Sequence, residues 1–157
     1  MILYFMRHAE AEAHAASDHV RVLTKRGIAR TETAARVLKN MSIQPKHIYA
    51  SPRVRATQTA EIVAGALGVM VEVREEVNFD FSREKVEQMI TGLNPEDEVM
   101  FVGHEPTMSE VVGALTGGLI TMKKGGLARV DVVSLGTPLR GRLVWLIAPK
   151  VFDAVDA

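Results

Sequence analysis

Three apolar segments of the chain run directly into arginine or histidine side chains. ILYFM is followed by Arg7-His8, HIYA by Ser51-Pro52-Arg53-Val54-Arg55, and EVMFV by Gly103-His104. Arginine carries a permanent charge on a planar fork that binds phosphate in bidentate fashion, and a neutral imidazole can attack phosphorus. These residue types indicate a site for a small, dense anion, and phosphate is the obvious candidate.

Phosphoryl transfer requires fixed donors around the phosphoryl oxygens and a nucleophile in line with the leaving group. The sequence contains no cysteine, which excludes thiolate nucleophiles, disulfides and Cys-ligated metals. His8 is the best remaining nucleophile, because a backbone carbonyl can hold one ring nitrogen protonated and leave the other free. His104 would then donate to the phosphoryl oxygens.

Composition narrows the class of protein. A chain of 157 residues with 47% hydrophobic and 24% charged residues predicts a single soluble domain over residues 1–157. Because the 19 basic and 19 acidic residues cancel and only 5% of residues are aromatic, nucleic acid is excluded as a partner. No apolar run approaches the roughly 20 residues of a membrane span, so we expect no membrane partner and a cytoplasmic location.

Short β-branched segments alternate with longer segments of helical spacing. This alternation predicts an α/β fold with helices around a mostly parallel sheet, as in a three-layer α/β/α sandwich. The predicted strands are residues 2–6, 47–50, 69–73, 98–102, 129–135 and 143–147. If the strands before the three clusters are parallel, the clusters meet at the carboxyl edge of the sheet, where open α/β folds bind ligands.

Helix starts and stops are predicted from capping residues. Thr24, Ser51 and Ser82 are the expected N-caps, with Pro52 at the first position of its helix, and Pro106 begins a further helix. Gly68, Gly92 and the pair Gly117-Gly118 are expected to end helices. Residues 151–157 are predicted to form a loose end of the chain.

Four motifs occur in order along residues 1 to about 116. Met6 to Glu10 resembles R-H-G or R-H-A, and Arg21 to Gly27 resembles R-x-L-T-x-x-G. Ser51 to Thr59 resembles S-P-x-x-R-A-x-Q-T, and Val102 to Pro106 resembles V-G-H-N-P. Together they resemble the histidine phosphatase superfamily with its phosphoglycerate-mutase-like fold, and most closely the small SixA-type phosphohistidine phosphatases.

The resemblance assigns roles to the matching positions. It implies that His8 accepts the phosphoryl group and that Arg7, Arg55 and His104 form the rest of the phosphate pocket. The family's general acid usually follows the third strand. Glu76 is therefore our first candidate for that role.

The sequence leaves the roles of several charged residues near the motifs undecided. Asp80 is the second candidate for the general acid, and Arg21 is either a surface residue or a neighbour of the phosphate. Arg53 lies outside the family's spacing and is expected at the rim. Glu105 stands where asparagine is frequent, and its carboxylate is expected to raise the pKa of His104.

These expectations lead to a metal-independent phosphatase that forms a phosphohistidine on His8. The short stretch between Gly68 and Glu98 leaves little room for a lid, so a phosphohistidine on a protein, such as a histidine phosphotransfer domain, is the expected substrate. The alternatives are a small-molecule phosphomonoesterase acting on a phosphorylated metabolite, a phosphate- or phosphoprotein-binding module without catalysis, and a metal-dependent hydrolase.

No metal or cofactor is expected. His8, Glu10, Glu12 and His14 alternate and would share one face of an extended strand, but the strand is predicted to end at His8, which disfavours a metal site there. The paired glycines at 117–118 and 125–126 lack a following Lys-Ser/Thr and are predicted to be turns, not a nucleotide loop.

Overall fold

The computed structural model describes residues 1–156, which form a six-stranded sheet flanked by helices. The strands are β1 Ile2–Arg7, β2 His47–Ala50, β3 Val71–Val73, β4 Glu98–Gly103, β5 Leu127–Ser134 and β6 Arg140–Ile147. The helices are α1 Lys25–Asn40, α2 Val54–Leu67, α3 Arg83–Ile90, α4 Thr107–Thr116 and α5 Pro149–Val155, with 3-10 turns at Asp18–Val20 and Glu75–Val77. Within the described residues, no helix has both the length and the apolar character needed to cross a membrane.

The sheet is mostly parallel, as predicted. Its strand order is β3-β2-β4-β1-β5-β6. The first four strands in this order run parallel, whereas β5 is antiparallel to both β1 and β6. β1 therefore lies inside the sheet, and its carboxyl end is next to that of β4.

Alternating side chains of the central strands build two cores, one on each face of the sheet. Leu3 and Phe5 pack on the face covered by α3 and α4, whereas Tyr4 and Met6 pack on the face covered by α1 and α2. Because side chains alternate along a strand, the apolar run Ile2 to Met6 of β1 must be covered on both sides. This arrangement is the three-layer α/β/α sandwich expected from the sequence.

Most predicted helix boundaries are confirmed. Thr24 caps α1 by accepting a hydrogen bond from the Gly27 amide at 2.9 Å, and Ser82 caps α3 by accepting from the Lys85 amide at 3.3 Å. Gly68 ends α2 at φ 71°, a left-handed conformation that favours glycine.

The prediction that Ser51 caps α2 is wrong. The helix begins two residues after Pro52, at Val54, and Arg53 occupies the N-cap position without a capping side chain. The hydroxyl of Ser51 instead lies 2.7 Å from Nε2 of His104, and it accepts a weaker hydrogen bond from the Arg53 amide at 3.3 Å. The hydroxyl of Ser51 thus contacts another residue of the strand-end clusters instead of capping the helix.

The prediction of a loose end after residue 150 is also wrong for the described residues. The chain there forms α5, which packs against α1. Phe152 is only 1% exposed and belongs to the core on the α1 and α2 face. Arg30 and Arg36 of α1 pair with Asp153 and Asp156. The burial of the Phe152 ring fixes a segment that its position near the end of the sequence had suggested to be loose. Ala157 lies outside the described residues.

Candidate active site

The carboxyl ends of β1, β2 and β4 meet at one edge of the sheet. Arg7 is in register with Gly103 across the parallel pair β1 and β4. The amide of His8 donates to the Gly103 carbonyl at 2.9 Å, and the Ser51 amide donates to the Val102 carbonyl at 3.0 Å. The three clusters predicted from the sequence therefore lie side by side.

His8 is buried and its ring is held by a main-chain carbonyl. Nδ1 lies 2.7 Å from the carbonyl oxygen of Ala9, and because a carbonyl only accepts, Nδ1 carries the proton. The unprotonated Nε2 faces Arg55, whose Nε donates to it at 3.3 Å. Burial lowers the pKa of His8 to about 4, assisted by the charges of Arg55, Arg7 and Arg21. The ring is therefore neutral at pH 7.

His104 lies beside His8, with 5.3 Å between the two ring centroids. Its Nε2 contacts the hydroxyl of Ser51 at 2.7 Å. Its Nδ1 is buried and has no hydrogen-bond partner in residues 1–156. Burial is the main reason that the pKa of His104 falls to about 3, followed by the nearby His8 and Arg55.

The expected effect of Glu105 on His104 is wrong, because the pKa of His104 is lowered. The Glu105 carboxylate turns toward the first turn of α4, where it accepts hydrogen bonds from the Ser109 amide at 2.9 Å and the Ser109 hydroxyl at 2.6 Å. Burial of the His104 ring therefore decides its protonation.

Asp18 binds three arginines at once. Its Oδ1 accepts from Arg21 at 3.0 Å, and its Oδ2 accepts from Arg53 at 2.6 Å and from Arg55 at 3.2 Å. Arg55, only 4% exposed, also donates to the main-chain carbonyl of Asp18 at 2.9 Å. The hydrogen bond from Arg21 is the largest cause that lowers the pKa of Asp18. An ionised carboxylate thus orients the three guanidinium groups.

Phe79 forms an aromatic wall beside His104. Its ring meets His104 edge-on with 4.8 Å between centroids, and the guanidinium of Arg53 lies 3.9 Å from the Phe79 centroid. Arg53 also donates to Asn78 at 3.0 Å. Although it is an aromatic side chain, Phe79 is 49% exposed. Arg53, expected as a rim charge, is fixed between this ring and Asp18.

Arg7 extends from the end of β1 toward the segment before β5. Its Nη1 donates to the carbonyl of Met122 at 3.0 Å. Its Nε is buried without a hydrogen-bond partner among the described residues. Burial lowers the pKa of Arg7, and the charge of Glu105 opposes this shift. Arg7 therefore keeps donor capacity close to His8.

Comparison with known proteins agrees with this geometry. Residues 3–89, more than half of the chain, match the model of the histidine phosphatase superfamily (branch 1). The chain belongs to the histidine phosphatase superfamily. The resemblance noted in the sequence is thereby confirmed, and the protein is a phosphatase.

Two curated relatives match over nearly their whole length. An uncharacterized protein of Picosynechococcus sp. is 34% identical over 164 residues, covering 96% of this chain and 98% of its own. The phosphohistidine phosphatase SixA of Escherichia coli is 29% identical over 153 residues, covering 95% of this chain and 94% of its own.

The fold is also shared with a solved structure. The protein histidine phosphatase SixA complexed with tungstate superposes with a TM-score of 0.87 at 28% identity, covering 96% of this chain and 99% of that one. The phosphatase described here thus has the architecture of that protein across almost its full length.

Both predicted general acids pair with a basic side chain in the structure. Glu76 accepts a hydrogen bond from Arg74 at 2.8 Å, and this contact is the largest cause that lowers its pKa. Asp80 pairs with Lys85. Arg21 does join the site, because it binds Asp18 and the carbonyl of Glu12.

Sequence reasoning missed three residues of this phosphatase site, namely Asp18, Phe79 and the hydroxyl of Ser51. Asp18 precedes Arg21 by three residues in a segment without regular periodicity, and only its spacing to that arginine offered a signal. Phe79 does not directly follow the end of a strand. The rule that site residues follow the carboxyl ends of strands, which located the other residues, therefore could not predict it.

Residues 1–156 contain no group of three His, Asp or Glu side chains arranged to hold a metal ion. The alternating residues that suggested a metal site, among them Glu10 and His14, have different surroundings in the structure. Glu10 accepts a hydrogen bond from the Thr24 hydroxyl at 2.9 Å, and Ala11 bridges to Leu23, whereas His14 is exposed.

Proposed function

We propose that this phosphatase hydrolyses phosphohistidine on a protein through a covalent phosphohistidine on His8. The observation that carries the proposal is the tautomer of His8. With Nδ1–H bound to the Ala9 carbonyl, Nε2 keeps its lone pair on the side of Arg55, from which it accepts a hydrogen bond at 3.3 Å, and burial keeps the ring neutral. A neutral, oriented imidazole is the form that attacks phosphorus.

In the first half-reaction, Nε2 of His8 forms a bond to phosphorus while the bond to the substrate's imidazole nitrogen breaks. The second ring nitrogen of the substrate can already carry a proton, so the ring leaves as neutral imidazole. In the second half-reaction, a water oxygen attacks phosphorus, the bond to Nε2 breaks with its electron pair returning to Nε2, and inorganic phosphate leaves with both protons of the water. His8 thus returns to its initial state.

The surrounding donors would stabilise the charge that builds up on the phosphoryl oxygens. Arg55 lies next to the attacking nitrogen, and Arg7 and His104 each have a buried nitrogen with no hydrogen-bond partner among the described residues. Arg21 would assist through Asp18, which it orients together with Arg55. Fixed donors of this kind stabilise a transition state without reorganising during the reaction. The mechanism we propose requires no metal ion.

Two features favour a phosphorylated protein side chain over a small metabolite. The rim of the site is open, since 47% of the Asp18 side chain and 49% of Phe79 are accessible, whereas His8 itself is buried. In addition, the exposed Phe79 ring offers an apolar surface on which the imidazole of a phosphohistidine could stack. The SixA relatives, named for phosphohistidine, add to this preference.

The decisive assay compares a phosphohistidine protein, a phosphoserine peptide and 3-phosphoglycerate at equal concentrations. We expect the largest kcat/KM for the phosphohistidine protein, unchanged by a chelator. Faster turnover of phosphoglycerate would instead favour a small-molecule phosphomonoesterase. Rapid quenching with a radiolabelled substrate should yield an acid-labile label on residue 8.

His14→Ala is the matched control for His8→Ala. His14 is exposed and lies outside the four motifs, so its loss should leave both the label and the turnover intact. A label that persists in His8→Ala would exclude His8 as the phosphoryl acceptor.

A further inference from the structure

A cavity lies beside the candidate active site and shares Arg7 with it. It has a volume of about 500 Å³, within the range of roughly 300–1,000 Å³ for small-molecule sites. Three lysines line it, Lys123, Lys124 and Lys150, and we call it the lysine cavity. Arg7 and Arg30 also reach it.

The charge of the lysine cavity is not balanced from within. Arg30 pairs with Asp153 at 3.1 Å, and the lining residue Glu10 approaches Arg26 at 4.0 Å. Among residues 1–156, none of the three lysines pairs with a carboxylate. In a chain with net charge +0, this concentration of unpaired cations produces a local field that attracts an anion.

The walls of the lysine cavity are fixed by close backbone contacts. The Gly125 amide donates to the carbonyls of Arg7 and His8 at 3.1 and 3.0 Å. A Cβ on Gly27 would lie 2.2 Å from the Glu10 carbonyl, so α1 and the segment after β1 touch directly. The cavity therefore exists before any ligand binds, which lowers the entropic cost of binding.

The remaining lining is uncharged and of low polarity, with Ala9, Ala148 and Pro149. A bare inorganic ion would leave this surface without a partner. The combination of lysines and apolar wall instead suits a ring or aliphatic body that carries an anionic group.

We propose that the lysine cavity is a second binding site, which takes a small organic anion bearing a phosphate, sulfonate or carboxylate group. The anion contacts the lysines and the body packs on the alanine and proline side chains. The site is distinct from the His8 pocket but joined to it, because the turn that carries Lys123 and Lys124 binds the carbonyl of His8 through Gly125. The proposal stands whichever phosphorylated substrate the phosphatase prefers.

The test uses 4-formylbenzenesulfonate, an aromatic anion that a phosphatase cannot hydrolyse. Its aldehyde condenses with a lysine amine and releases water, and borohydride then reduces the imine to a stable secondary amine. Peptide mapping by mass spectrometry should show saturable labelling in the lysine cavity, at least tenfold faster than at the exposed Lys39 of α1. Uncharged benzaldehyde is the control and should lose this preference. Equal labelling of Lys39 and the cavity lysines by the sulfonate would overturn the proposal.

Charge variants give a second, independent readout. Calorimetry should show that replacing the three lysines by glutamine weakens benzenesulfonate binding at least tenfold, whereas replacing them by arginine preserves it. Both variants should retain turnover of p-nitrophenyl phosphate, which shows that they fold. The same affinity in the glutamine variant and the wild type would also overturn the proposal.

Steady-state kinetics distinguish two sources of the anion, a separate small molecule or a part of the substrate itself. If benzenesulfonate changes kcat for p-nitrophenyl phosphate without raising KM, the cavity receives a separate molecule. If it raises KM alone in the wild type, and not in the glutamine variant, the cavity overlaps the space that the substrate occupies and receives part of the substrate. Inhibition of equal strength in both proteins would place the sulfonate in the His8 pocket and contradict the proposal.

Discussion

Two clusters of cationic side chains lie at the carboxyl end of β1 and differ in what holds them. In the His8 pocket, Arg21, Arg53 and Arg55 all bind the carboxylate of Asp18. In the lysine cavity, by contrast, the three lysines have no carboxylate partner among the described residues. The first cluster is held by ion pairs to one carboxylate, whereas the second consists of exposed lysines.

The two clusters therefore act on an anion in different ways. The arginines of the His8 pocket orient hydrogen bonds, whereas the lysines of the lysine cavity only attract negative charge. A planar guanidinium held by a carboxylate presents its hydrogen bonds in a fixed direction, as stabilisation of a transition state requires. An ammonium on a mobile stem attracts any nearby anion but fixes no geometry. We therefore expect changes in the His8 pocket to alter the rate, and changes in the lysine cavity to alter binding.

The largest effect should come from His8→Ala. Loss of the nucleophile should lower kcat by about 10⁴-fold or more, while the glutamine variant of the lysine cavity should stay within about twofold of the wild type because its side chains touch no reacting atom. Steady-state kinetics with p-nitrophenyl phosphate measure both. A comparable loss in the two proteins would show that the two clusters form a single site.

Arg55→Lys should have the next largest effect. A lysine keeps the charge but cannot donate along the same direction to the phosphoryl group, so kcat should fall by about 10²-fold, equivalent to about 3 kcal/mol for one preorganised donor. Arg7→Lys should behave alike, with KM changing less than kcat in both. A near-normal rate in either lysine variant would show that a point charge suffices in the His8 pocket too.

Asp18→Asn tests whether the shared carboxylate creates the rigidity of the arginine cluster. We expect kcat to fall about tenfold, because charged hydrogen bonds to three guanidinium groups are weakened. Glu76→Gln is the matched comparison, and it should change kcat by less than about twofold, since Glu76 binds Arg74. The reverse order of effects would restore Glu76 as the general acid.

The smallest effect concerns pH. Because burial lowers the pKa of His8 to about 4, the nucleophile stays neutral down to that value and gains a proton below it. The pH dependence of kcat/KM reports ionisations of the free enzyme. The contribution of His8 to kcat/KM should therefore change little between pH 7 and 5, and kcat/KM should fall as the pH drops through about 4. An acid limb at pH 6.5 would show that the pocket is wetter than its burial indicates.

The fold and the grouping of His8, Arg55 and His104 could be predicted from local signals. Apolar segments ending in charged side chains located β1, β2 and β4, and the parallel arrangement then placed His8, Arg55 and His104 together. These inferences depend on short-range pattern and on a general rule about sheet edges.

The parts that could not be predicted depend on long-range contacts. Asp18 meets Arg53 and Arg55 across more than thirty intervening residues, and Ser51 meets His104 across more than fifty. A serine before a proline is typical of a helix cap, and nothing in the local sequence shows that a distant imidazole competes for its hydroxyl. The helix α5 was missed for the same reason, because Phe152 becomes buried only through its contacts with the rest of the core.

The position of β1 inside the sheet has a consequence for hydrogen exchange. β1 is hydrogen bonded to β4 on one side and to β5 on the other, and the amide of His8 continues this ladder to Gly103. Exposing that amide requires β1 to separate from β4, an opening close to global unfolding in free energy. The amide of His8 should therefore exchange among the slowest in the chain, far more slowly than amides of the three-residue edge strand β3. His8 is thus attached to the part of the molecule that is expected to open least often.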